Sequence, residues 1–141
     1  MLGTVVTAWA VNSHLYYIDV NTLAIEDSIG WRYFCDALET QDYAGKTIKL
    51  VADIGTDQTP ITRIAGKSPK TKAIYPFKGT FDGQGHTMVF QFENPTSDYV
   101  APFARVIGGT SLADTIAIRN LNVVTTITSY GRTHAAGPIA D

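Results

Sequence analysis

Apolar residues recur with two different periods along this chain, and the change of period separates a predicted helix from predicted strands. Four apolar residues are spaced i, i+3, i+4 and i+7 and so share one helical face: Trp31, Phe34, Cys35 and Leu38. Asp27 or Ser28 can cap this helix, and Gly45 lies just beyond its predicted end. The pattern predicts a short amphipathic helix within residues 31–45, preceded by an N-terminal cap segment over residues 1–30.

From residue 46 onward, apolar residues alternate with polar ones, which is typical of strands with one buried face. Three strands are predicted: Thr47–Ile54, Thr87–Phe92 and Asn120–Ile127. Their predicted inward residues are Ile48, Leu50, Ala52 and Ile54 in the first, Met88, Phe90 and Phe92 in the second, and Leu121, Val123, Thr125 and Ile127 in the third. A proline followed by an apolar residue recurs between and after the strands, at Pro60-Ile61, Pro76-Phe77, Pro102-Phe103 and Pro138-Ile139.

Strands that repeat one inward register at long spacing predict an all-β fold of stacked coils, a β-solenoid, over residues 46–141. Long connections between the strands favour parallel pairing. An antiparallel sandwich is the alternative, because Asp82–Gly85 has the composition of a hairpin loop between two strands. The solenoid is preferred, since tight hairpins would space the strands more closely.

Composition narrows the class of protein. The chain has 141 residues, of which 45% are hydrophobic and 17% charged, as expected for one domain with a sizeable core. A net charge of −2 gives no global attraction to nucleic acid or to an anionic membrane. No apolar run reaches the roughly 20 residues that a membrane span requires. Residues 8–10, Ala-Trp-Ala, have the form of a signal-peptide cleavage site and weakly indicate export.

Basic residues concentrate after the helix, where the sequence predicts a solvated polar loop containing Arg63, Lys67, Lys70 and Lys72. Cys35 lies on the apolar helical face and is interpreted as a buried, inert thiol. The three histidines, His14, His86 and His134, are far apart in sequence, so their spacing predicts no metal site. No cofactor is expected.

Asp82 and His86 form the most conspicuous pair of polar residues, but glycines surround them at positions 79, 83 and 85. Glycine and aspartate are the residues that tight turns require, so structural roles are predicted for both. Hydrolysis of a glycan would need two converging carboxylates. The acids that could supply them are also explained by ordinary surface placement: Asp53, Asp57, Glu93 and Asp98.

Four segments together resemble the GLUG-type β-helical repeats of bacterial surface and secreted proteins: Trp31–Leu38, Gly45–Ile54, Pro76–Met88 and Ile118–Val123. The core Phe77-Lys-Gly-Thr-Phe-Asp-Gly-Gln-Gly-His-Thr87 is the most specific of them. The resemblance runs from about Trp31 to the end of the chain and implies a right-handed parallel β-helix, exported by a bacterium and often part of a longer protein. Related proteins include metallopeptidases, but this chain has no His-Glu-x-x-His motif.

These observations predict a noncatalytic secreted or cell-surface β-helix module acting in adhesion, in recognition or as a structural spacer. The alternative is a polysaccharide-processing enzyme, a lyase or glycosidase, which parallel β-helices often are. Tyr75, Tyr99 and Tyr130 near predicted turns are candidate contacts for a glycan or a host or cell-surface protein. An uncapped last coil further predicts end-to-end self-association.

Overall fold

The computed structural model describes residues 12–93, 100–108, 117–128 and 139. Within these residues the elements follow one another in the order β1 (Leu15–Asp19), β2 (Thr22–Ile25), α1 (Ser28–Leu38), β3 (Thr47–Leu50), β4 (Thr80–Asp82), β5 (Thr87–Glu93), β6 (Ile118–Arg119) and β7 (Asn122–Thr128). All the strands are short, and the two longest, β5 and β7, have seven residues each.

The strands form two sheets. The first has five strands in the order β1-β2-β3-β4-β6, and the second pairs β5 with β7. β1 and β2 form an antiparallel hairpin, whereas every later pair is parallel. Single bridges extend the second sheet, because Ile54 pairs with Met88 and Ile61 with Phe90. The first sheet is therefore mixed, and much of the chain after β3 pairs through isolated residues rather than through strands.

α1 begins at a cap that its sequence marks but ends earlier than its sequence predicts. Asp27 is its N-cap, as one of the two predicted caps, and its carboxylate accepts a hydrogen bond from the backbone N–H of Gly30. The helix ends at Leu38, well before Gly45, and the chain then turns through left-handed conformations at Tyr43 and Gly45. Tyr43 is buried there, with its ring 5.4 Å from that of Phe34.

Trp31 joins the two sheets. Its ring makes edge-on contacts with Phe81 of β4, Phe90 of β5 and Phe103, at centroid distances of 5.5–6.0 Å. This edge-on geometry is the arrangement that aromatic quadrupoles favour. The indole Nε1 donates a hydrogen bond of 2.9 Å to the backbone oxygen of Arg63. The core is thus organised around one helical side chain that contacts both sheets.

The predicted all-β, right-handed parallel β-helix is wrong. The described residues form a small mixed-sheet domain with one helix, and their short strands lie in two sheets rather than in a long series of coils. An antiparallel hairpin forms its first two strands. The helix is the physical reason, because it buries its apolar face in the core between the sheets and so takes the place of a further layer of strands. The alternative hairpin across Asp82–Gly85 is also absent, since β4 and β5 pair in different sheets.

The inward rows predicted from alternation are observed where the strands form. Ile48, Leu50 and Ile54 are buried, and so are Met88, Phe90 and Phe92, whereas Ala52 is half-buried. The inward row of β7 is only half-buried. The described residues contain no helix that is both long and apolar enough to cross a membrane.

Candidate functional site

A groove of about 250 Å³ lies between the N-terminal half of α1 and the loop that follows Pro60. Both walls carry polar and apolar groups, and the residues that line it are Ser28, Ile29, Arg32, Pro60, Ile61, Thr62 and Arg63. Ser28, Ile29 and Arg32 are spaced i, i+1 and i+4 along the helix, so they line one side together. The opposite wall consists of four consecutive loop residues.

The loop wall is held in place by backbone hydrogen bonds. The N–H of Ile61 donates to the oxygen of Val89 at 2.8 Å, and the N–H of Gln91 donates to the oxygen of Ile61 at 2.9 Å. Gly55 allows this close approach, because it has a φ of +79° and a Cβ there would lie 2.5 Å from the oxygen of Val89. With the bond from Trp31 to Arg63, the wall is fixed to both α1 and β5.

Arg63 forms ion pairs with two acidic residues at the C-terminal end of α1. Its Nη1 lies 2.6 Å from Asp36 Oδ1 and its Nη2 lies 3.9 Å from Glu39 Oε1. Only 18% of its side-chain surface is exposed, and its Nε is buried without a hydrogen-bond partner among the described residues. Much of its charge is therefore compensated by the two carboxylates, and its main role is to hold the loop wall against α1.

Arg32 differs, because its side chain is exposed and makes no ion pair with any residue that the structure describes. The helix N-terminus adds little positive charge beside it. Asp27 accepts from Gly30 at 2.9 Å and its other oxygen lies 2.6 Å from His14 Nδ1. Burial would raise the pKa of Asp27, but the hydrogen bonds from Gly30 and His14 outweigh burial and hold that pKa below its ordinary value. A carboxylate thus already occupies the helix end, and Arg32 is the available cation of the groove.

Little in the sequence indicates this groove. Arg63 was predicted to lie in a solvated loop, and nothing in the spacing of Arg32 sets it apart from any exposed helical arginine. The relevant signal is the pair Pro60-Ile61, one of four such pairs in the sequence, whose apolar residue enters the core and brings its neighbours to the helix.

The tyrosines predicted to contact a ligand do not form a site in the described residues. Tyr75 is half-buried, and its N–H donates to the oxygen of Gly66 at 2.8 Å in a turn of the loop. It does not line the groove. Tyr99 and Tyr130 lie outside the described residues. Their predicted role as ligand contacts therefore stays a prediction.

Asp53 and His86 are brought together although 33 residues separate them. Asp53 Oδ1 lies 3.2 Å from His86 Nδ1 and accepts a hydrogen bond of 2.9 Å from the backbone N–H of Thr87. The bond from Thr87 is the main reason that the pKa of Asp53 lies below its ordinary value, and His86 lowers it further. The bonds of Asp53 to His86 and Thr87 thus hold the residues that follow β3 against the start of β5.

The other acids considered for hydrolysis do not converge on Asp53. Asp57 is exposed, and Glu93 accepts a hydrogen bond from Gln91 within its own strand. Asp98 and His134 lie outside the described residues. No group of three or more metal-ligating side chains occurs in the part of the chain that the structure describes.

Asp82 organises a turn, in keeping with its predicted structural role. It is 8% exposed, and its Oδ1 accepts hydrogen bonds from the N–H of Gln84 and from Asn120 Nδ2, at 3.0 and 3.3 Å. Its Oδ2 lies 3.3 Å from Arg119 Nη2. Gly83 lets the turn of Asn120 approach, because a Cβ there would lie 2.6 Å from the oxygen of Asn120. The turn after β4 is thereby joined to the turn after β6.

This arrangement predicts acid-sensitive stability at Asp82. Burial would raise the pKa of Asp82, but its bonds to Gln84, Asn120 and Arg119 hold that pKa below its ordinary value. Its stabilisation is therefore present above the unfolded-state pKa of about 4 and is lost as the pH falls through the folded-state pKa. In urea unfolding at pH 7, Asp82→Asn should lower the free energy of unfolding by about 1–3 kcal/mol.

The difference between Asp82→Asn and the unsubstituted chain should begin to shrink as the pH falls below about 4, where Asp82 of the unfolded chain takes up a proton, and should be lost once the pH passes the lower folded-state pKa. Asp57→Asn is the matched control, because Asp57 is exposed and has no bonding partner among the described residues. It should change stability by less than about 0.5 kcal/mol at either pH. A loss for Asp82→Asn that does not depend on pH would contradict this account.

Cys35 is buried in the core, and burial raises the pKa of its thiol far above the ordinary value. The thiolate that nucleophilic chemistry requires is thus strongly disfavoured.

Comparison with protein-family models, with curated proteins and with solved structures finds no match to this chain.

Proposed function

We propose that this chain is a noncatalytic recognition module that binds an acidic glycan in the groove between α1 and the Pro60–Arg63 loop. One observation carries the proposal: the groove combines a guanidinium that has no described ion-pair partner with hydroxyl groups and an apolar wall. A guanidinium binds a carboxylate through two parallel hydrogen bonds. The ligand class is therefore a saccharide that bears carboxylates.

The remaining groove residues suit a sugar ring. Ser28 and Thr62 present hydroxyl groups, which both donate and accept hydrogen bonds as sugar hydroxyls do. Ile29 and Pro60 supply accessible apolar surface for the C–H face of the ring. Since the loop wall is fixed by backbone bonds to β5, binding requires little ordering of the protein.

The hydrogen bonds of the candidate catalytic residues support the proposal that the module is noncatalytic. Asp53 and His86 bind each other and the backbone of Thr87, and Asp82 binds three neighbours in a turn. None of these side chains lines the groove. A glycan held there would contact arginine and hydroxyl groups rather than a pair of carboxylates. We further propose that the module acts at the bacterial surface or outside the cell, where acidic glycans are exposed.

The binding test uses a galacturonic-acid oligosaccharide and a neutral galactose oligosaccharide of the same length, measured by isothermal titration calorimetry. The acidic ligand should bind and the neutral ligand should not. Arg32→Ala should weaken binding about tenfold or more, because a hydrogen bond to a charged group contributes about 1.5–3 kcal/mol. Arg32→Lys should recover part of the affinity, since the charge stays but the forked geometry is lost.

Lys70→Ala is the matched control, because it removes the same charge from an exposed residue that does not line the groove. It should leave the affinity unchanged, whereas added salt should weaken binding by the unsubstituted chain. Equal binding of the neutral oligosaccharide, or an unchanged affinity of Arg32→Ala, would overturn the proposed ligand class. Shortening of the acidic oligosaccharide during incubation would instead support the enzyme alternative.

A further inference from the structure

β7 is an edge strand that lacks the features by which edge strands usually avoid pairing with another chain. It pairs with β5 along its whole length, from Thr87 opposite Asn122 to Glu93 opposite Thr128, without a bulge. No strand pairs with its other edge among the residues that the structure describes. Its seven residues, Asn-Val-Val-Thr-Thr-Ile-Thr, include no charge and no proline. Natural edge strands usually carry a charge, a proline or a bulge that prevents pairing with another chain.

The backbone groups directed to this free edge can be identified. Asn122 donates its N–H to the oxygen of His86, which places the backbone groups of Asn122 on the β5 side. In a strand, alternate residues direct their N–H and C=O groups to the same neighbour. Val123, Thr125 and Ile127 therefore direct theirs to the free edge. The central residue of β7, Thr125, is also the central residue of this set.

The side chains of the same three residues form an incompletely covered row. Val123 and Ile127 are partly buried against the core, whereas their partners on β5, Met88 and Phe92, are buried. The Oγ1 atom of Thr125 is buried and has no hydrogen-bond partner among the described residues. A buried hydroxyl without a partner is costly, and its cost would fall if a second hydroxyl were brought beside it.

We propose that β7 pairs with β7 of a second copy of this chain, antiparallel and about a two-fold axis at Thr125. This register places Val123 opposite Ile127 of the second copy and Thr125 opposite its own equivalent. Val123, Thr125 and Ile127, whose backbone groups point to the free edge, then all form hydrogen-bonded pairs with the second copy. The two Thr125 hydroxyls lie on the same face and can bond to each other, a recurring cross-strand pair.

A second copy fits this edge better than a charged partner. Two uncharged strands meet without like-charge repulsion, and the two-fold axis at Thr125 places Val123 opposite Ile127 and Val124 opposite Thr126. The strand supplies seven residues a side, whereas stable interfaces use about 20–30. The dimer should accordingly be weak and should appear only as the concentration of the chain rises.

Sedimentation velocity from about 10 µM to about 1 mM should show a reversible monomer–dimer equilibrium. Thr125→Pro removes an N–H that points to the free edge, and proline is tolerated at such positions of edge strands. This variant should raise the dissociation constant of the dimer about tenfold or more while it retains the circular dichroism of the fold. A chain that stays monomeric throughout, or a dimer unaffected by Thr125→Pro, would overturn the proposal.

Cysteine cross-linking tests the register even if Thr125→Pro does not fold. Thr125→Cys should form a disulfide-linked dimer under mild oxidation, because directly opposite residues have suitable spacing. Thr126→Cys is the matched control, since its equivalent lies diagonally across the pair, more than about 7 Å away, which is too far for a disulfide. Efficient cross-linking of Thr126→Cys, or none of Thr125→Cys, would exclude this register.

Discussion

Replacing Trp31 with alanine should lower the free energy of unfolding by about 3–5 kcal/mol, the largest loss expected from any single substitution in this chain. The indole is fully buried and contacts rings from both sheets. Its removal leaves a cavity that the aromatic neighbours cannot fill, because their own positions are set by the strands. Urea or thermal unfolding measures the loss.

Trp31→Phe separates packing from hydrogen bonding. It retains an aromatic ring but removes the Nε1 donor to the oxygen of Arg63, so it should lose about 1–3 kcal/mol. Both variants should also weaken glycan binding, because this bond holds the loop wall of the groove. Tyr33→Ala is the control on the same helix, since Tyr33 is 40% exposed and lies outside the aromatic core, and it should lose about 1 kcal/mol or less. A Tyr33→Ala loss equal to that of Trp31→Ala would contradict the central role of Trp31.

Gly30→Ala should also be destabilising, by about 2–3 kcal/mol, although alanine is the better helix former by about 1 kcal/mol. The added Cβ would overlap the backbone oxygen of His14. That oxygen cannot easily move, because it accepts a hydrogen bond of 2.9 Å from the N–H of Glu26 and belongs to the segment leading into β1. Steric overlap with fixed backbone therefore outweighs the gain in helix propensity.

Gly45→Ala measures backbone strain without a steric contact. Gly45 has a φ of +77°, but a Cβ there would meet no atom within 4 Å. Its replacement should cost about 1–2 kcal/mol from backbone strain alone. Chemical denaturation of the two variants side by side gives the comparison. If Gly30→Ala were as stable as the unsubstituted chain, the close packing of α1 against the residues before β1 would be incorrect.

Local features were predictable from the sequence because they depend on residues close together in the chain. The period of 3.6 identified the buried face of α1, and the alternation identified the inward rows of β3 and β5. The N-cap at Asp27 and the burial of Cys35 follow from the same local patterns. The turn at Asp82 was recognisable because its glycines and aspartate are required by backbone geometry alone.

The arrangement of those elements depended on tertiary contacts. Alternation shows which side of a strand is buried, but a strand in a solenoid and a strand in a small mixed sheet have the same alternation, so the predicted β-helix was wrong. The groove forms only because Ile61 enters the core beside Phe90 and brings Arg63 to the helix that carries Arg32. The sequence by itself determined which face of α1, β3 and β5 is directed to the core, and the tertiary structure decided how fully each residue is covered and which of them meet, because pairing energies arise between residues that are distant in the chain.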